Sequence, residues 1–297
     1  MTLLTKIIIV SLFIVRFFTL SFANDNPPSP FIPDNYRNID QKKLEQDIAT
    51  YEKMVANNKL DPEAHYKLGK LYILSALRMQ SEIFTKKGET GLKELEKNET
   101  FQRIKVNAFK ELETAVLLEP KNIDYLINFS ELSFQFYEYA KAEKALKKAL
   151  SIKPNNPYLH LQLGKVYVYR IDPTNNTIIE QGHWCNKALR EFDKIIEKLQ
   201  PKDWNILWEA LCWRAMTYKG IPPIFDTQED ALDDFKQLIE LQKDKPKEEK
   251  FVIPYLRSGE IYLKMNKRKE AEKIWKEGLK LFPQNKELQK KLESIKK

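Results

Sequence analysis

Apolar residues recur at helical spacing through most of the chain, beginning with one isolated segment. Between residues 40 and 57, four large apolar residues lie three or four positions apart and so share one face of a helix. They are Leu44, Ile48, Tyr51 and Val55. The positions between them are mostly polar or charged, so the pattern predicts a single amphipathic helix ahead of the rest of the fold.

Two longer patterns then recur along the chain. The segment 62–72 (PEAHYKLGKLY) returns as 157–167 (PYLHLQLGKVY), and a weaker copy ends at 258–262 (SGEIY). A second pattern, 142–154 (AEKALKKALSIKP), returns as 271–283 (AEKIWKEGLKLFP). Repetition of this kind indicates a fold built from stacked units of supersecondary structure.

A further copy of the second pattern has the same spacing at Ala108, Leu112, Ala115 and Pro120. Its Pro120 lies 34 residues before Pro154, which ends the next copy. At this period the two patterns resemble the tetratricopeptide repeat (TPR) family. Its repeat is a helix with Leu-Gly and Tyr, then a helix with Ala, a large residue, Ala and Pro. The resemblance covers roughly 40–297 and recurs in full in 252–285. It implies an all-α fold, a TPR-type α-solenoid of about five stacked helix-turn-helix repeats in a right-handed superhelix with a capping terminal helix.

Small and large residues in the two patterns fit such stacking. Gly69, Gly164 and Gly259 stand where the two helices of a repeat would approach closely, and large residues such as Tyr72 follow one turn later. We therefore predict one repeat domain, 40–297. Its repeats are 62–122, 123–156, 157–202, 203–245 and 252–285, followed by a polar capping helix at 285–297.

Three places interrupt the repeat period. Extra residues in the first repeat predict a long helical hairpin with its turn at 86–91, and extra residues in the third predict a loop at 172–177. In the fourth repeat, 220–223 (GIPP) is expected to end the first helix early. Insertions in a solenoid lie on one face, so these segments either belong to a binding face or are neutral surface loops.

The amino terminus has the layout of a secretory signal. A short basic start, residues 1–6, is followed by an apolar run, 7–22, and by small residues at positions 21 and 23. We predict a signal peptide at 1–23, a periplasmic or secreted location and a Pro-rich tether at 24–39. The alternative is an uncleaved membrane anchor at 7–23, which Arg16 and the shortness of the run disfavour.

Charge does not point to a nucleic-acid partner. The formal net charge is +8, but Lys residues alternate with Asp and Glu along the predicted helices, as on solvated helix faces. Nine of the 50 basic residues are Arg, the residue on which nucleic-acid recognition relies most. Nucleic acid is therefore not an expected partner.

The sequence shows no catalytic set. His65 and His160 share the fourth repeat position, where a packing role is expected, and no HExxH, CxxCH, paired CxxC or glycine-rich phosphate loop occurs. We predict no enzyme activity, no metal-binding residue and no cofactor. Cys185 and Cys212 would permit a disulfide in an exported protein, but the repeat register places them near opposite ends of neighbouring helices.

The TPR resemblance implies that the inner face of the first helices holds another protein. The family's clamp for a chain terminus is missing, since Tyr66 stands where Lys would be wanted and Glu131 where Asn would be. We predict a scaffold or adaptor for an apolar or amphipathic segment. By repeat position the groove residues are Tyr66, Lys70, Ile73, Ile127, Phe134, Tyr158, Leu161, Lys165, Val168, Tyr169, Met216 and Leu256.

A non-protein ligand is the alternative partner. Four of the five Trp residues lie between 184 and 213, where they either fill space between repeats or form a pocket for a glycan or a lipid. They are Trp184, Trp204, Trp208 and Trp213.

Overall fold

The computed structural model of the chain describes residues 39–172, 175–221 and 225–295. Within these residues the secondary structure consists of twelve α-helices and short 3-10 segments, without a strand. The prediction of an all-α fold of helix-turn-helix repeats is confirmed.

A lone helix comes first, five helix pairs follow, and a short helix comes last. The lone helix α1 is Gln41–Asn57, and the last helix α12 is Lys286–Ser294. The pairs are α2 (Pro62–Leu95) with α3 (Glu99–Leu118), α4 (Ile123–Gln135) with α5 (Tyr139–Ile152), α6 (Pro157–Tyr169) with α7 (Ile178–Ile196), α8 (Trp204–Gly220) with α9 (Gln228–Gln242), and α10 (Ile253–Lys264) with α11 (Arg268–Leu281).

The described residues group into two compact units. One unit ends at Leu159 and the other begins at His160, so the division falls inside α6. In the first unit α2 packs with α3 and α4 with α5; in the second, α8 packs with α9 and α10 with α11. Each unit therefore has its own packed helix pairs.

Side chains that accept backbone hydrogen bonds fix where several helices begin. Asp40 caps α1 and Asn98 caps α3, each by accepting a bond from an N–H group in the first turn. At α7, Thr177 and Glu180 form a reciprocal capping box. These N–H groups have no partner within the helix, so each cap contributes about 1 kcal/mol to stability.

Small residues let the paired helices of the first unit pack closely. A Cβ built on Gly69 of α2 would lie 2.7 Å from Cγ of Leu112 on α3. Leu112 is fully buried, as are Ala108 one turn before it and Ala115 one turn after it. The leucine fills the space that the glycine leaves, which is how facing helices interdigitate.

The same arrangement recurs twice in the second unit. Gly164 of α6 faces Phe192 of α7, and Gly259 of α10 faces Trp275 of α11. Both rings are fully buried, and a Cβ on either glycine would overlap the ring that it faces. The prediction that these glycines permit close approach of the helices is confirmed.

The interruptions of the repeat are part helix and part loop. In the first repeat, α2 breaks at Gly88, whose φ of 58° suits glycine, and a second turn at 96–98 leads into α3. The turn predicted at 86–91 is therefore one of two. In the third repeat the described residues between α6 and α7 are non-helical, and in the fourth α8 ends at Gly220.

The predicted signal peptide, 1–23, and residues 24–38 of the predicted tether lie outside the described residues. Residue 39 directly precedes Asp40, the N-cap of α1. None of the helices that the structure describes combines the length and the apolar character needed to cross a bilayer.

Candidate partner-binding surfaces

A groove on the first unit lies between α2 and α4, the first helices of two successive repeats. It encloses about 200 Å³. Each helix supplies residues three or four positions apart, which therefore share one face. The lining residues are Lys70, Ile73, Leu74, Leu77, Asn128, Glu131, Leu132 and Gln135.

The groove has an apolar floor and a polar rim. Leu77 and Leu132 are buried and Ile73 is half-buried, whereas Lys70 and Glu131 are exposed. An apolar side chain that enters the groove would be desolvated against the apolar floor. Polar groups next to it would contact the charged side chains of Lys70 and Glu131. The groove therefore combines an apolar floor with two charged groups at its rim.

Two hydrogen bonds order the rim on the α4 side. The Tyr158 hydroxyl donates to Glu131 Oε1 over 2.6 Å, and Gln135 Nε2 donates to Gln80 Oε1 over 3.5 Å. A carboxylate accepts several hydrogen bonds. Glu131 can therefore keep its bond from Tyr158 and accept another from a partner.

Among the residues predicted for this groove, Tyr66 mainly supports the helices. It is 9% exposed and stacks on Tyr125, with ring centroids 4.5 Å apart. The Tyr125 hydroxyl donates to Glu63 over 2.8 Å. Lys70 lines the groove, and its Nζ is 5.3 Å from the centroid of the Tyr66 ring, within cation–π range.

On α4, the two residues predicted for the groove, Ile127 and Phe134, are not among the residues that line it. Ile127 is half-buried, and Phe134 packs on Tyr139 with ring centroids 5.8 Å apart. Sequence reasoning left out several lining residues, although their helical spacing to Ile73 and Glu131 was a usable signal. They are Leu74, Leu77, Asn128, Leu132 and Gln135.

In the second unit, three of the predicted groove residues belong to the core. Leu161, Val168 and Leu256 are each no more than 5% exposed. Met216 is half-buried against the cluster around α8 and α9. A substitution at one of the three buried positions would therefore act first on stability.

The remaining predicted groove residues of this unit surround Trp213. Lys165 Nζ is 2.7 Å from Glu209 Oε2 and 5.7 Å from the centroid of the Trp213 ring. The Tyr169 ring lies 6.0 Å from the same indole. This face of α6 and α8 is thus mixed in character, with a paired charge beside aromatic rings.

Glu260 joins three basic side chains on the same unit. Its carboxylate lies 3.2 Å from Lys219 Nζ, 3.0 Å from Arg257 Nη1 and 2.7 Å from Lys291 Nζ. Burial acts to raise its pKa, but the three positive charges lower the pKa to about 2. Glu260 is therefore ionised at neutral pH and links α8, α10 and α12.

Two of the four clustered Trp residues fill the core between helices. Trp204 and Trp208 pack on Phe251, with ring centroids 6.2 and 5.7 Å away. Trp208 is 4% exposed, and its Nε1 donates to Gln242 Oε1 over 2.9 Å. Its polar atom is thus satisfied within the fold.

Trp184 lies in a different setting. Its ring stacks on Tyr167 at 5.9 Å, and the Arg170 guanidinium lies 3.8 Å from its centroid. Trp184, Trp213 and the pair packed on Phe251 therefore have three different sets of aromatic neighbours.

The two predicted packing histidines each pair with a buried carboxylate on the second helix of their repeat. His65 Nδ1 is 2.5 Å from Glu111 Oε2, and His160 Nδ1 is 2.6 Å from Glu191 Oε2. Burial acts to raise the Glu191 pKa, but hydrogen bonds from His160 and Lys194 hold it below its usual value. Within the described residues, no group of three or more His, Cys, Asp or Glu could hold a metal ion.

Both cysteines are free and buried. Burial raises the pKa of the Cys185 thiol and of the Cys212 thiol to about 12 in each case. Since the thiolate is the reactive form, both behave as small apolar side chains at neutral pH.

Comparison with known proteins finds similarity among solved structures. No protein-family model and no curated protein match the sequence. The structure of MamA is 18% identical with a TM-score of 0.49, covering 78% of this chain and 96% of that one. YrrB, described as a TPR protein with an unusual peptide-binding site, is 17% identical with a TM-score of 0.48, covering 83% and 98%. The C-terminal part of a TPR repeat-containing protein from Cytophaga hutchinsonii is 18% identical with a TM-score of 0.48, covering 94% and 99%.

Proposed function

We propose that this protein is a non-catalytic scaffold or adaptor that holds an amphipathic segment of another protein. The observation that carries the proposal is the groove between α2 and α4, with Leu77 and Leu132 on its floor and Lys70 and Glu131 on its rim. The floor supplies affinity at roughly 25 cal/mol per Å² of apolar surface buried, before the costs of association. The rim charges set the orientation of the segment.

The groove also defines the chemistry of the partner segment. Apolar side chains on one face would cover Ile73, Leu74 and the floor, and a basic group on that segment would pair with Glu131. An acidic group nearer to Lys70 would complete the match. The partner is therefore a segment of mixed charge, distinct from a chain terminus bound through its carboxylate.

A single charge on the groove wall tests this proposal. We expect Ile73→Glu to weaken the binding of peptides selected from a displayed library by at least about tenfold, since the carboxylate would be desolvated against the floor. Glu is a good helix former, so α2 should persist. Binding is measured by fluorescence polarisation on the purified chain.

The matched control is Ile179→Glu, the same substitution on a helix residue that is 84% exposed. It should change peptide affinity by less than about twofold. Peptides that bind the two variants equally well would rule out the groove as their site.

We further propose that residues 1–23 direct export and are removed, as the basic start and apolar run support. In a cell that secretes the protein, intact mass measurement should give a chain that begins at Asn24. Deleting residues 2–23 should leave the protein in the cytosolic fraction. An intact amino terminus in the membrane fraction would instead support the anchor.

A further inference from the structure

Helix α2 continues past the point where the other wall of the groove ends. That wall is α4, whose last residue is Gln135. Gln135 Nε2 donates to Gln80 Oε1 over 3.5 Å, which places the end of α4 beside Gln80 of α2. Phe84 follows Gln80 by four positions, so it lies one helical turn beyond the end of α4.

Phe84 shares a face of α2 with the residues that line the groove. Leu77 precedes it by seven positions, Ile73 by eleven and Lys70 by fourteen. Within α2 the backbone departs from helical φ and ψ at Gly88, which follows Phe84, so helical geometry holds along this stretch. At 3.6 residues per turn, the four side chains fall within about 60° of one another around the helix axis.

The apolar surface of the groove therefore extends along α2 beyond α4. Leu77, beside α4, is 6% exposed, whereas Phe84 is 41% exposed. A single exposed apolar side chain is ordinary on a protein surface. Phe84, however, continues the stripe formed by Ile73 and Leu77, so an occupant that covers the groove and runs on along α2 also covers Phe84.

The stripe sets the length and the position of such an occupant. From Lys70 to Phe84 it measures about 21 Å at 1.5 Å per residue. The groove itself encloses about 200 Å³, which admits side chains. A helix with its side chains is about 10–12 Å wide, so a helical occupant would lie over the mouth of the groove and insert apolar side chains into it.

A helix suits this surface better than an extended chain does. The backbone N–H and C=O groups of an extended chain need hydrogen-bond partners from the wall or from water. The side-chain amides of Gln80 and Gln135 are already bonded to each other, and Phe84 offers no polar group. A helix bonds its own backbone and presents an apolar side chain every three or four residues, the spacing of the stripe on α2.

From these features we infer that the partner segment is an amphipathic helix of about 14 residues, or four turns, that packs along α2 from Lys70 to Phe84. Its acidic groups lie on the side that faces Lys70, and its basic groups lie on the side that faces Glu131 of α4. The inference rests on the proposed function, because it takes the groove as the binding site. It adds Phe84, which does not line the groove, as a contact that the partner needs.

Truncation of Phe84 tests this contact. Peptides of about 16 residues, enough for the four turns, are selected from a displayed random library on the purified chain, and their affinity is measured by fluorescence polarisation. Phe84→Ala should weaken binding by about tenfold, as expected for loss of an aromatic contact at an interface. The matched control is Leu117→Ala, which truncates a 73% exposed apolar side chain of α3 and should change affinity by less than about twofold.

A proline at the centre of the selected peptide tests the helix. It should weaken binding by at least about tenfold, because proline breaks a helix and is tolerated in an extended chain. Circular dichroism should show helix forming in the peptide as it binds. Binding that is lost in Ile73→Glu but kept in Phe84→Ala would overturn this inference and leave the proposed function intact. Binding that tolerates the proline would overturn the helical partner.

Discussion

Replacing Arg214 by methionine is expected to lower the free energy of unfolding of the second unit by about 3–5 kcal/mol. Arg214 of α8 donates to both carboxylate oxygens of Asp234 on α9, over 2.9 and 2.6 Å, and to Asp193 of α7 over 2.7 Å. The Asp234 side chain is 2% exposed. Removal of the guanidinium leaves that carboxylate buried without its counter-charge.

The pKa of Asp234 gives this prediction a pH dependence. Burial raises the pKa of the carboxyl, and Arg214 opposes that shift. In Arg214→Met the positive charge that lowers this pKa is absent. The pKa of Asp234 in the folded state therefore rises further above its value in the unfolded chain. The folded variant then binds a proton more readily than the unfolded chain. The free energy of unfolding lost through the substitution should therefore become smaller as the pH falls.

Urea denaturation followed by tryptophan fluorescence measures the effect. All five Trp residues lie beyond residue 160, so the signal reports on the unit that contains Arg214. The control Lys276→Met breaks an exposed pair with Glu272 and should cost less than about 1 kcal/mol. The double variant Arg214→Met, Asp234→Leu should recover most of the loss, because apolar residues can replace a buried ion pair. A loss no larger than that of Lys276→Met would show that the three-helix link contributes little.

The same substitution at two glycines should have opposite effects. Gly259→Ala is expected to lower the free energy of unfolding by about 1–3 kcal/mol, because the added methyl overlaps the fully buried Trp275 ring. That ring cannot move freely, since its Nε1 donates to the Leu256 carbonyl over 3.0 Å. Gly182→Ala is expected to raise the free energy of unfolding by about 0.5–1 kcal/mol, because its methyl meets no atom and alanine favours the helix.

Both glycine variants are compared by the same urea titration, and each serves as the control of the other. Helix propensity is gained equally in the two, so the difference between them isolates the contact with Trp275. Stabilisation of both variants would mean that α10 and α11 can separate to admit a methyl group.

The helix pairs were within reach of sequence reasoning because their signals are local. Caps such as Asn98 and Thr177, the prolines that begin α2 and α6, and the small residues facing large ones all act within a helix or between adjacent helices. Gly259 and Trp275 illustrate this, since they are 16 positions apart and the repeat period already places them opposite one another. The packing roles of His65 and His160 were predicted from the same repeat register.

The binding surfaces were harder to predict from the sequence, because they depend on how far each helix is rotated about its own axis. Phe134 and Gln135 are neighbours on α4 and lie about 100° apart around the helix axis, so the orientation of α4 decides which of them lines the groove. Leu161, Val168 and Leu256 were predicted for the partner surface and lie in the core for the same reason.

The sequence by itself determined the all-α class, the pairing of helices and the positions of closest helix approach, since repeated small and large residues specify nearest neighbours along the chain. The tertiary structure alone decided which side chains of separate helices meet. It joined Arg214 to Asp193 and Asp234, and it left Gln181 Oε1 buried without a donor among the described residues. Such contacts depend on the distances and orientations of helices in space, which spacing along the sequence does not encode.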